Sequence, residues 1–345
     1  MAGAVPGNFG AYLYDGSDLK SGVAREDLLE QITNISPFDT PFVSQAPKVG
    51  CRHIYHQWLK DTLGTPDLSG AAEGADWALD TQVSPVREFN ITMILRKDVG
   101  MSLSQRAVDT AGFADGYAYE VQKATKELAI KLEKVVFGQL TTSTGTSSSA
   151  GGRVMKGLQA FIATNSAFAG AAGTSGALAD ATHDGLVDVY DFNAMLNSIY
   201  SAGGNPEQVY VSPKVKRQIS AFTVPGAAAG TPHARNIAAV DKKLVGAIDF
   251  YDSDFGLIQI VLDRWVPEST NSTTATGSAT NTGGQMFFLS RAINRLAWLR
   301  PMSHELVGKR GDSVAGLVVG EVTLEVLNEK ANGRIVGVNN KSAVS

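Results

Sequence analysis

The stretch ISPFDTPFVSQAPKVG, residues 35–50, places two Pro-Phe pairs four residues apart and contains neither His nor Cys. Pro37 and Pro41 each fix φ near about −65° and move the preceding residue out of the α region. The segment is therefore predicted to be extended or to form two tight turns. The rings of Phe38 and Phe42 then need apolar partners elsewhere, because the N-terminal region around them has few large apolar side chains.

Two strand-like runs follow this segment. They are CRHIYHQWLK, residues 51–60, and VREFNITMILRKDV, residues 86–99, where Phe89 and its alternate neighbours are apolar. The residues between the runs are too many for a tight turn and too poor in large apolar side chains to form a core. We expect an antiparallel pair of strands that projects from the body as a long β-arm.

The strongest helical pattern lies within residues 103–138, and it is clearest in YAYEVQKATKELAIKLEKVVF, residues 117–137. Apolar side chains recur there every three or four residues, which indicates one buried face. Glu127 and Lys131 stand four apart on the other face, and Gly138 is placed to end the helix. A helix of this length spans about 30 Å, the diameter of a small domain. A shorter helical pattern, REDLLEQITNI, occupies residues 25–35.

A Ser/Thr/Gly-rich run at residues 141–152 indicates a domain boundary near residues 140–155. Beyond it, helical and strand patterns alternate, a polar loop covers residues 269–285, and strand patterns return near the C-terminus. The patterns in this second half are a helix at 191–200, a strand at 207–212, a helix from Pro213, strands at 243–251 and 257–262, and the runs MFFLS, RLAWLRPM and EVTLEVL. The sequence therefore predicts a mixed α+β protein.

Composition narrows the functional classes. The chain has 345 residues, 43% of them hydrophobic, so it can bury a substantial core. A net charge of −4 leaves no basic excess for tight binding to phosphates. Cys51 is the single cysteine, which excludes an intrachain disulfide and a four-thiolate zinc site. No export signal or membrane-spanning run is present in the sequence, so we expect no membrane partner.

The sequence offers no catalytic motif. His53 and His56 lie three apart on a predicted strand, so they point to opposite faces and make a poor metal pair. The glycine-rich segments lack the phosphate-binding pattern that ends in Gly-Lys-Ser/Thr, and no Gly-x-Ser-x-Gly is present. We assign no catalytic, cofactor-binding or metal-ligating residue and expect a protein that is not an enzyme.

The order of these parts, together with particular residues, resembles the major capsid proteins of tailed bacteriophages, which have the Hong Kong 97-like fold. The match is with the branch whose arm has the pattern I-x-P-x-D-T-P-F, here residues 35–42, followed by Trp58 and Asp61. Further matching residues, spread over nearly the whole chain, are Glu73-Gly74, Asn90, Ser104–Val108, Asn205-Pro206, Asp254-Phe255-Gly256, Gly311-Asp312, Glu321 and Thr323-Leu324-Glu325.

The resemblance implies an α+β Hong Kong 97-like capsid fold with an N-arm, an extended β-loop, a peripheral domain with a long spine helix and an axial α/β domain. The implied boundaries are 1–50 for the N-arm, 51–100 for the extended β-loop, 101–152 for the peripheral domain with the spine helix, 153–290 for the axial domain, and 291–345 for returning strands of the peripheral domain and the C-terminus.

The function implied by the resemblance is self-assembly of hexamers and pentamers into an icosahedral or prolate head shell that encloses double-stranded DNA. On this interpretation the stiff arm buries its rings against a neighbouring subunit, and the alternative is that Phe38 and Phe42 pack on a helix of their own chain. The candidate intersubunit contacts are Pro37, Phe38, Pro41, Phe42, Trp58, Asp61, Glu73, Trp77, Arg96 and Lys97.

The resemblance also implies scaffolding, portal and decoration proteins as candidate partners, loose contact with packaged DNA, assembly in the host cytoplasm and a final place in the virion. Some relatives cross-link a Lys of the extended loop to an Asn of a neighbouring subunit. The corresponding candidate here is Lys60, the one Lys between residues 49 and 96. Relatives often carry a scaffolding segment ahead of the arm, and this sequence starts almost at the arm. Three possibilities therefore stay open: the N-terminus is processed, a separate scaffolding protein assists assembly, or neither applies. Two alternative functions stay open: an encapsulin-like nanocompartment shell, and an uncharacterised hydrolase or adhesive surface protein.

Overall fold

The computed structural model describes residues 36–64, 68, 70, 73–74, 76, 83–108, 115–144, 152–168, 187, 189–220, 237–238, 243–244, 248–268, 284–308 and 311–338. The helix predicted over residues 25–35 lies outside these ranges. So do most of the two polar loops predicted at 141–152 and 269–285.

Helices and strands are numbered here in chain order. The helices are α1 (Pro41–Gln45), α2 (Leu103–Ala107), α3 (Gly116–Val136), α4 (Leu158–Phe161), α5 (Val189–Ser201) and α6 (Pro213–Ser220), and a 3-10 turn covers Glu329–Ala331. The strands are β1 (Lys48–Gly50), β2 (Tyr55–Lys60), β3 (Val86–Ile91), β4 (Met93–Ser102), β5 (Ser166–Phe168), β6 (Gln208–Val211), β7 (Ile237–Ala238), β8 (Lys243–Leu244), β9 (Phe250–Ser253), β10 (Gly256–Leu262), β11 (Gly284–Leu289), β12 (Asn294–Val307), β13 (Ser313–Val326) and β14 (Gly333–Val338).

A four-stranded sheet with the order β1-β12-β13-β4 forms one side of the body. Strand β13 pairs antiparallel with both β12 and β4, whereas β1 adds to β12 in parallel. Helix α3 packs against this sheet, and Leu95, Leu296 and Val322 from the strands share one core with Leu128 and Leu132 of the helix. The sheet and the long helix therefore pack as two layers around one core.

The long helix is confirmed, although it is shorter than predicted. Its N-cap is Asp115, whose side chain accepts a hydrogen bond from the Tyr117 N–H at 3.0 Å, and its C-cap is Phe137. The predicted start near residue 103 instead forms the separate helix α2, which the Ser102 hydroxyl caps. On the exposed face, Glu127 pairs with Lys97 of β4 at 2.7 Å, an ion pair to a neighbouring strand that the helical spacing alone could not reveal.

Strands β2 and β3 form the predicted antiparallel pair, with a register that runs from Tyr55 opposite Ile91 to Lys60 opposite Val86. The predicted strand at 86–99 is divided at Thr92, because β3 belongs to this two-stranded hairpin and β4 belongs to the four-stranded sheet. Thr92 is fully buried at the division, where its backbone N–H donates to Ile54 O.

A six-stranded sheet with the order β5-β14-β11-β6-β10-β9 forms the other part of the body. A core on one of its faces takes Phe192 and Leu196 from α5, Ile219 from α6, and Met286 and Phe288 from β11. This arrangement confirms the helix–strand–helix layer predicted from the alternating periods. Alternate side chains of the same strands, including Tyr210 and Phe287, enter the core of α3 instead.

Two segments pack differently from the implied domain boundaries. Strand β14, expected among the returning strands of the peripheral domain, pairs with β11 and β5 in the six-stranded sheet. Met155, Leu158 and Ile162, expected in the axial domain, are fully buried in the core of α3. Met155, Leu158 and Ile162 join the core of α3, whereas Ile335 and Val338 of β14 join the core of the six-stranded sheet, and local periodicity does not specify either choice.

Gly157 is the first position at which we predict a measurable effect. A Cβ there would lie 2.2 Å from Gly138 O and 2.9 Å from Val135 O, at the end of α3. Because these are backbone atoms that must shift to make room, we expect Gly157→Ala to lower the free energy of unfolding by about 1–3 kcal/mol. Urea unfolding measures the change. Gly152→Ala is the control, since a Cβ at Gly152 meets nothing within 4 Å; equal effects at the two positions would contradict the prediction.

Candidate intersubunit surfaces

The base of the β2–β3 hairpin is fixed by Asn90, which is fully buried. Its amide donates to Leu324 O at 2.7 Å and to Lys156 O at 3.2 Å, and its Oδ1 accepts from the N–H groups of Lys156 and Ile91, each at 2.8 Å. Every donor and acceptor of the amide is therefore used. Asn90 joins the hairpin to β13 and to the chain just before α4.

Glu321 of β13 forms a second anchor next to Asn90. Its carboxylate, 3% exposed, accepts hydrogen bonds from the Thr92 hydroxyl, from Arg153 and from Arg300. The carboxylate therefore joins three segments at the point where the hairpin leaves the four-stranded sheet. A third link is the 2.9 Å contact between His56 Nε2 and Glu325.

The two faces of the hairpin differ in exposure. His56, Trp58 and Lys60 point toward the body, and Trp58 is only 9% exposed, with its ring centroid 6.1 Å from that of Phe161. Trp58 therefore packs within its own chain, and its assignment as a contact to a neighbouring subunit stays a prediction that this burial does not support. Alternation along the strand puts Trp58 on the face that meets the body, and the sequence alone did not show which face that is.

The opposite side of the hairpin is exposed and apolar. We call it the hairpin outer face and define it by Tyr55, Gln57, Leu59, Arg87 and Phe89. Its three large apolar side chains, Tyr55, Leu59 and Phe89, are 40%, 67% and 45% exposed. They stand on neighbouring strands, with Gln57 opposite Phe89 and Leu59 opposite Arg87. Three exposed apolar side chains on one face of a fixed hairpin make that face a candidate docking surface.

In the N-terminal arm, Phe42 packs inside its own chain. The side chain is 3% exposed, and its ring meets those of Phe137 and Tyr210 edge to face at centroid distances of 5.6 and 5.7 Å. For Phe42 the intrachain alternative is thus the one that the structure shows. Pro41 occupies the first position of α1, where its fixed φ suits a helix, so the expected extended segment instead contains a short helix.

Phe38 and Pro37 are exposed at the start of the same segment. Phe38 is 58% exposed, and Lys126 Nζ lies 5.0 Å from its ring centroid. Unlike Phe42, these two side chains remain available to a neighbouring subunit. The two Pro-Phe pairs of the sequence therefore divide: the second anchors the arm to the body and the first stays at the surface.

The backbone of α1 is bound by a buried carboxylate. The Phe42 and Val43 N–H groups donate to Glu133 Oε1 and Oε2, each at 2.8 Å. Burial and the nearby Asp263 carboxyl raise the pKa of Glu133 from 4.5 to about 8, and burial also raises the pKa of Asp263. A second contact holds the arm nearby, because Trp265 Nε1 donates to Asp39 O at 2.8 Å.

Arg96 and Lys97 are exposed neighbours in β4, so their side chains point to opposite faces of the sheet, that of Lys97 toward α3. Arg96 pairs with Asp98 and Lys97 pairs with Glu127, with 40–68% of each side chain exposed. The hydrogen bond with Glu127 raises the pKa of Lys97. Both cations are accessible to a neighbour, although each already has an intrachain partner.

The remaining candidate residues belong to the connection between β2 and β3. Asp61 is exposed and accepts a hydrogen bond from the Thr62 N–H, and Glu73 is exposed. Trp77 lies outside the described residues. Asp61 and Glu73 are thus both placed away from the core, as a surface contact requires.

A polar cleft of about 200 Å³ lies under the hairpin, lined in part by Lys60, Glu88, Lys156 and Glu329. Lys60 Nζ forms an ion pair with Glu88 at 3.0 Å, so the Lys60 ammonium is held by its own hairpin. Within the described ranges, no group of three His, Cys, Asp or Glu residues is arranged to hold a metal ion. No described helix has the length and apolar character needed to cross a membrane.

Three carboxylates organise the body, namely Glu133, Asp263 and Glu321; sequence reasoning missed the first two and named Glu321 only as a residue that matches capsid proteins, without a structural role. Glu133 had a signal, because it falls among the apolar positions of α3, next to the buried Leu132 and Val136. A charged residue on a buried face needs partners from elsewhere in the fold. Asp263 follows strand β10 and Glu321 lies within strand β13, and no comparable sequence pattern indicates that either is buried.

Comparison with known proteins gives three kinds of similarity. The sequence model of the SU10 major capsid protein family matches residues 11–339. A curated relative, the major capsid protein of Escherichia phage Phieco32, is 34% identical over 113 residues. That match covers 32% of this chain and 32% of the relative, about a third of each.

Solved structures of low sequence identity share the fold. A chain of Gordonia phage Cozz aligns over 91% of both chains with a TM-score of 0.56 and 12% identity. The capsid structure of cyanophage P-SCSP1u covers 91% of this chain and 93% of its own, with a TM-score of 0.55 and 13% identity. The SrpI encapsulin of Synechococcus elongatus PCC 7942 covers 96% and 98%, with a TM-score of 0.53 and 11% identity. The expected Hong Kong 97-like α+β fold is confirmed.

Proposed function

The chain belongs to the SU10 major capsid protein family, whose members are shell-forming structural proteins of the virion, and from this premise we propose how its copies are joined. Many copies assemble, as hexamers and pentamers, into a closed icosahedral or prolate head that encloses double-stranded DNA. The protein functions by binding other copies of the same chain, and we expect no catalytic activity. Support comes from the family match over nearly the whole chain and from the exposed hairpin surface.

The hairpin outer face is the observation that carries the proposal. Its Tyr55, Leu59 and Phe89 side chains expose apolar area to water. Full burial of an exposed Leu or Phe contributes about 1.5–3 kcal/mol, so a side chain that is half exposed contributes about half as much when it is covered. Because Asn90 and Glu321 fix the base of the hairpin, little conformational entropy is lost on docking. The face meets a different surface of the next copy, and such heterologous contacts close into rings.

A second set of proposed contacts consists of candidates outside the hairpin strands. They are Pro37, Phe38, Asp61, Glu73, Trp77, Arg96 and Lys97. Of the described members, Phe38 offers an exposed ring, whereas Arg96 and Lys97 offer cations at the surface of β4. Charges at the rim of an interface contribute more to orientation and association rate than to affinity. We therefore assign the apolar contribution to the hairpin and the steering to these charges.

The remaining partners follow from the head that we propose. A net charge of −4 provides no basic excess, so packaged DNA is contacted loosely. Scaffolding, portal and decoration proteins are the other proposed partners, with assembly in the host cytoplasm. An encapsulin-like compartment shares the fold, but the likeness to SrpI at 11% identity concerns the fold alone, and the family match favours the phage head.

We predict that Phe89→Asp prevents shell formation. The carboxylate would have to be buried without a partner in the contact with the next copy, which costs several kcal/mol at every such contact. The fraction of protein that sediments as closed shells is expected to fall at least about tenfold.

Phe89→Leu is the matched control, because it keeps an apolar side chain at the same position and should assemble. Circular dichroism and a thermal unfolding curve of the unassembled Phe89→Asp protein check that the fold is intact. A folded Phe89→Asp protein that forms shells at the yield of the unsubstituted chain would overturn the role of this face.

A further inference from the structure

Helix α1 depends on a side chain from another helix for its N-terminal hydrogen bonds. Its N-cap residue, Thr40, makes no side-chain capping bond. The Phe42 and Val43 N–H groups instead donate one each to the two oxygens of Glu133, at 2.8 Å. Glu133 belongs to α3 and lies 91 residues after Phe42 in the sequence. The carboxylate therefore joins the arm directly to the long helix of the body.

A second carboxyl, that of Asp263, lies within side-chain hydrogen-bonding reach of Glu133. Asp263 is 1% exposed and Glu133 is fully buried. Asp263 Oδ1 accepts from the Trp265 N–H at 2.8 Å, whereas Oδ2 receives no hydrogen bond from the donors of the described residues. Two buried carboxyls in contact cannot both ionise without a large cost, so such pairs share one proton. A proton held between Asp263 Oδ2 and Glu133 gives that oxygen its partner.

The other ionisable groups around the pair do not neutralise it. Tyr210 of β6 faces both carboxyls, which together with burial raise the pKa of its hydroxyl. That hydroxyl donates to Gln208 Oε1 at 3.1 Å. Arg291 acts on Tyr210, lowering its pKa, and its Nε donates to Gln45 O of the arm.

Two further cations lie on the outer side of this cluster. Lys134 of α3 places its Nζ 4.3 Å from the centroid of the Trp265 ring, and Arg264 faces Asp39 at 3.7 Å across an exposed pair. Across the residues that the structure describes, no Lys, Arg or His forms an ion pair with Glu133 or Asp263. If the shared proton is lost, the second negative charge has no counter-charge beside it.

We propose that the proton shared by Glu133 and Asp263 is a pH-sensitive latch, and that its loss frees the arm segment Asp39–Gln45 from the body. With the proton present, Glu133 accepts both N–H groups of α1 and Asp263 binds Glu133. Without it, the two carboxylates repel each other in a buried site, and separation requires α1 or the segment after β10 to move. Helix α1 is the less constrained of the two, because the segment after β10 is also held by a hydrogen bond from the Asp263 backbone N–H to Val211 O.

The direction of the pH dependence follows from the raised pKa of Glu133. Its value in the folded protein is about 8, compared with an ordinary value of 4.5. Burial raises this pKa more than the two N–H groups of α1 lower it, and release of the arm opens Glu133 to water and returns its pKa toward the ordinary value. Docking is therefore strongest at acidic pH and weakens as pH rises from about 4.5 toward about 8. Above that range the docked arm has lost this contribution. A freed arm that then contacts a neighbouring subunit rests on the proposed function, whereas its release does not.

Hydrogen exchange of the unsubstituted full chain, measured by mass spectrometry between about pH 6 and about pH 9, tests the latch directly. After correction for the intrinsic pH dependence of exchange, protection of residues 39–45 is expected to fall at least about tenfold over this range. A peptide from β13 serves as the internal reference and should keep its protection, which separates arm release from global unfolding.

Asp263→Asn supplies the matched variant. The amide is neutral and donates to Glu133, so protection of residues 39–45 should become independent of pH in this range. Glu120→Gln is the control, since the side chain of Glu120 on α3 is 43% exposed and pairs with Lys123. Constant protection in the unsubstituted chain, or the same pH dependence in Asp263→Asn, would overturn the proposal. Neither readout requires shells, so a failure of the latch is distinguishable from a failure of assembly.

Discussion

Phe42→Ala is expected to lower the free energy of unfolding by about 3–5 kcal/mol, the range for removing a buried aromatic ring without full collapse of the cavity. The side chain is 3% exposed and meets the rings of Phe137 and Tyr210, so its loss removes apolar burial and two edge-to-face contacts. Urea unfolding of the unassembled chain, followed by circular dichroism, measures the difference.

The sequence contains its own control for this substitution. Phe38 is four residues earlier, also follows a proline, and is 58% exposed. Phe38→Ala should change the free energy of unfolding by no more than about 0.5 kcal/mol. If the two alanine variants were equally destabilised, the division of the arm into an anchored and an exposed Pro-Phe pair would be wrong.

Glu321→Ala is expected to lower the free energy of unfolding by about 3 kcal/mol, because it leaves buried partners of a charge without their counterpart. Arg153 and the Thr92 hydroxyl lose their acceptor inside the protein, whereas Arg300 is half exposed and can turn to water. Because Thr92 lies between β3 and β4, hydrogen exchange should also rise at the base of the hairpin.

Asp98→Ala provides the comparison for an exposed ion pair. Asp98 and its partner Arg96 are 68% and 63% exposed, so removal of the carboxylate should cost about 0.5 kcal/mol or less. Thermal unfolding curves of both variants give the ranking. A Glu321→Ala protein as stable as Asp98→Ala would show that the buried carboxylate does not anchor the hairpin.

Local periodicity was sufficient for the elements that bury one regular face. The three-or-four spacing in residues 117–137 predicts α3, since Leu128 and Leu132 fall on one side of the helix and are both buried. Alternation likewise predicts β2 and β3 as an antiparallel pair, which the register confirms. In both cases the physical cause is contained within one element and its nearest partner.

Other features depend on contacts between distant parts of the chain. Pro41 opens a helix rather than an extended segment because Glu133, far along the sequence, accepts the N–H groups of that helix. The sheet that β14 joins is likewise decided by tertiary pairing, since its sequence is compatible with either sheet. No short window of sequence contains these constraints.

The candidate contact residues show the same limit. The resemblance to capsid proteins suggested Phe42 and Trp58 as contacts, whereas the structure turns both inward and exposes Leu59 and Phe89. Alternation separates the two faces of the hairpin, but which face meets the body is decided by Asn90 and its partners in β13. Among the other candidates that the structure describes, Phe38, Asp61 and Glu73 are exposed, as an intersubunit contact requires.

The mass of the purified full chain, measured by light scattering after size exclusion with negative-stain images of the same peak, tests the central claim of self-assembly. We predict closed shells of megadalton mass, or rings of five or six copies, formed by the chain alone or on concentration. A chain that remains a 36.4 kDa monomer, even when concentrated or mixed with a phage scaffolding protein, would contradict the account.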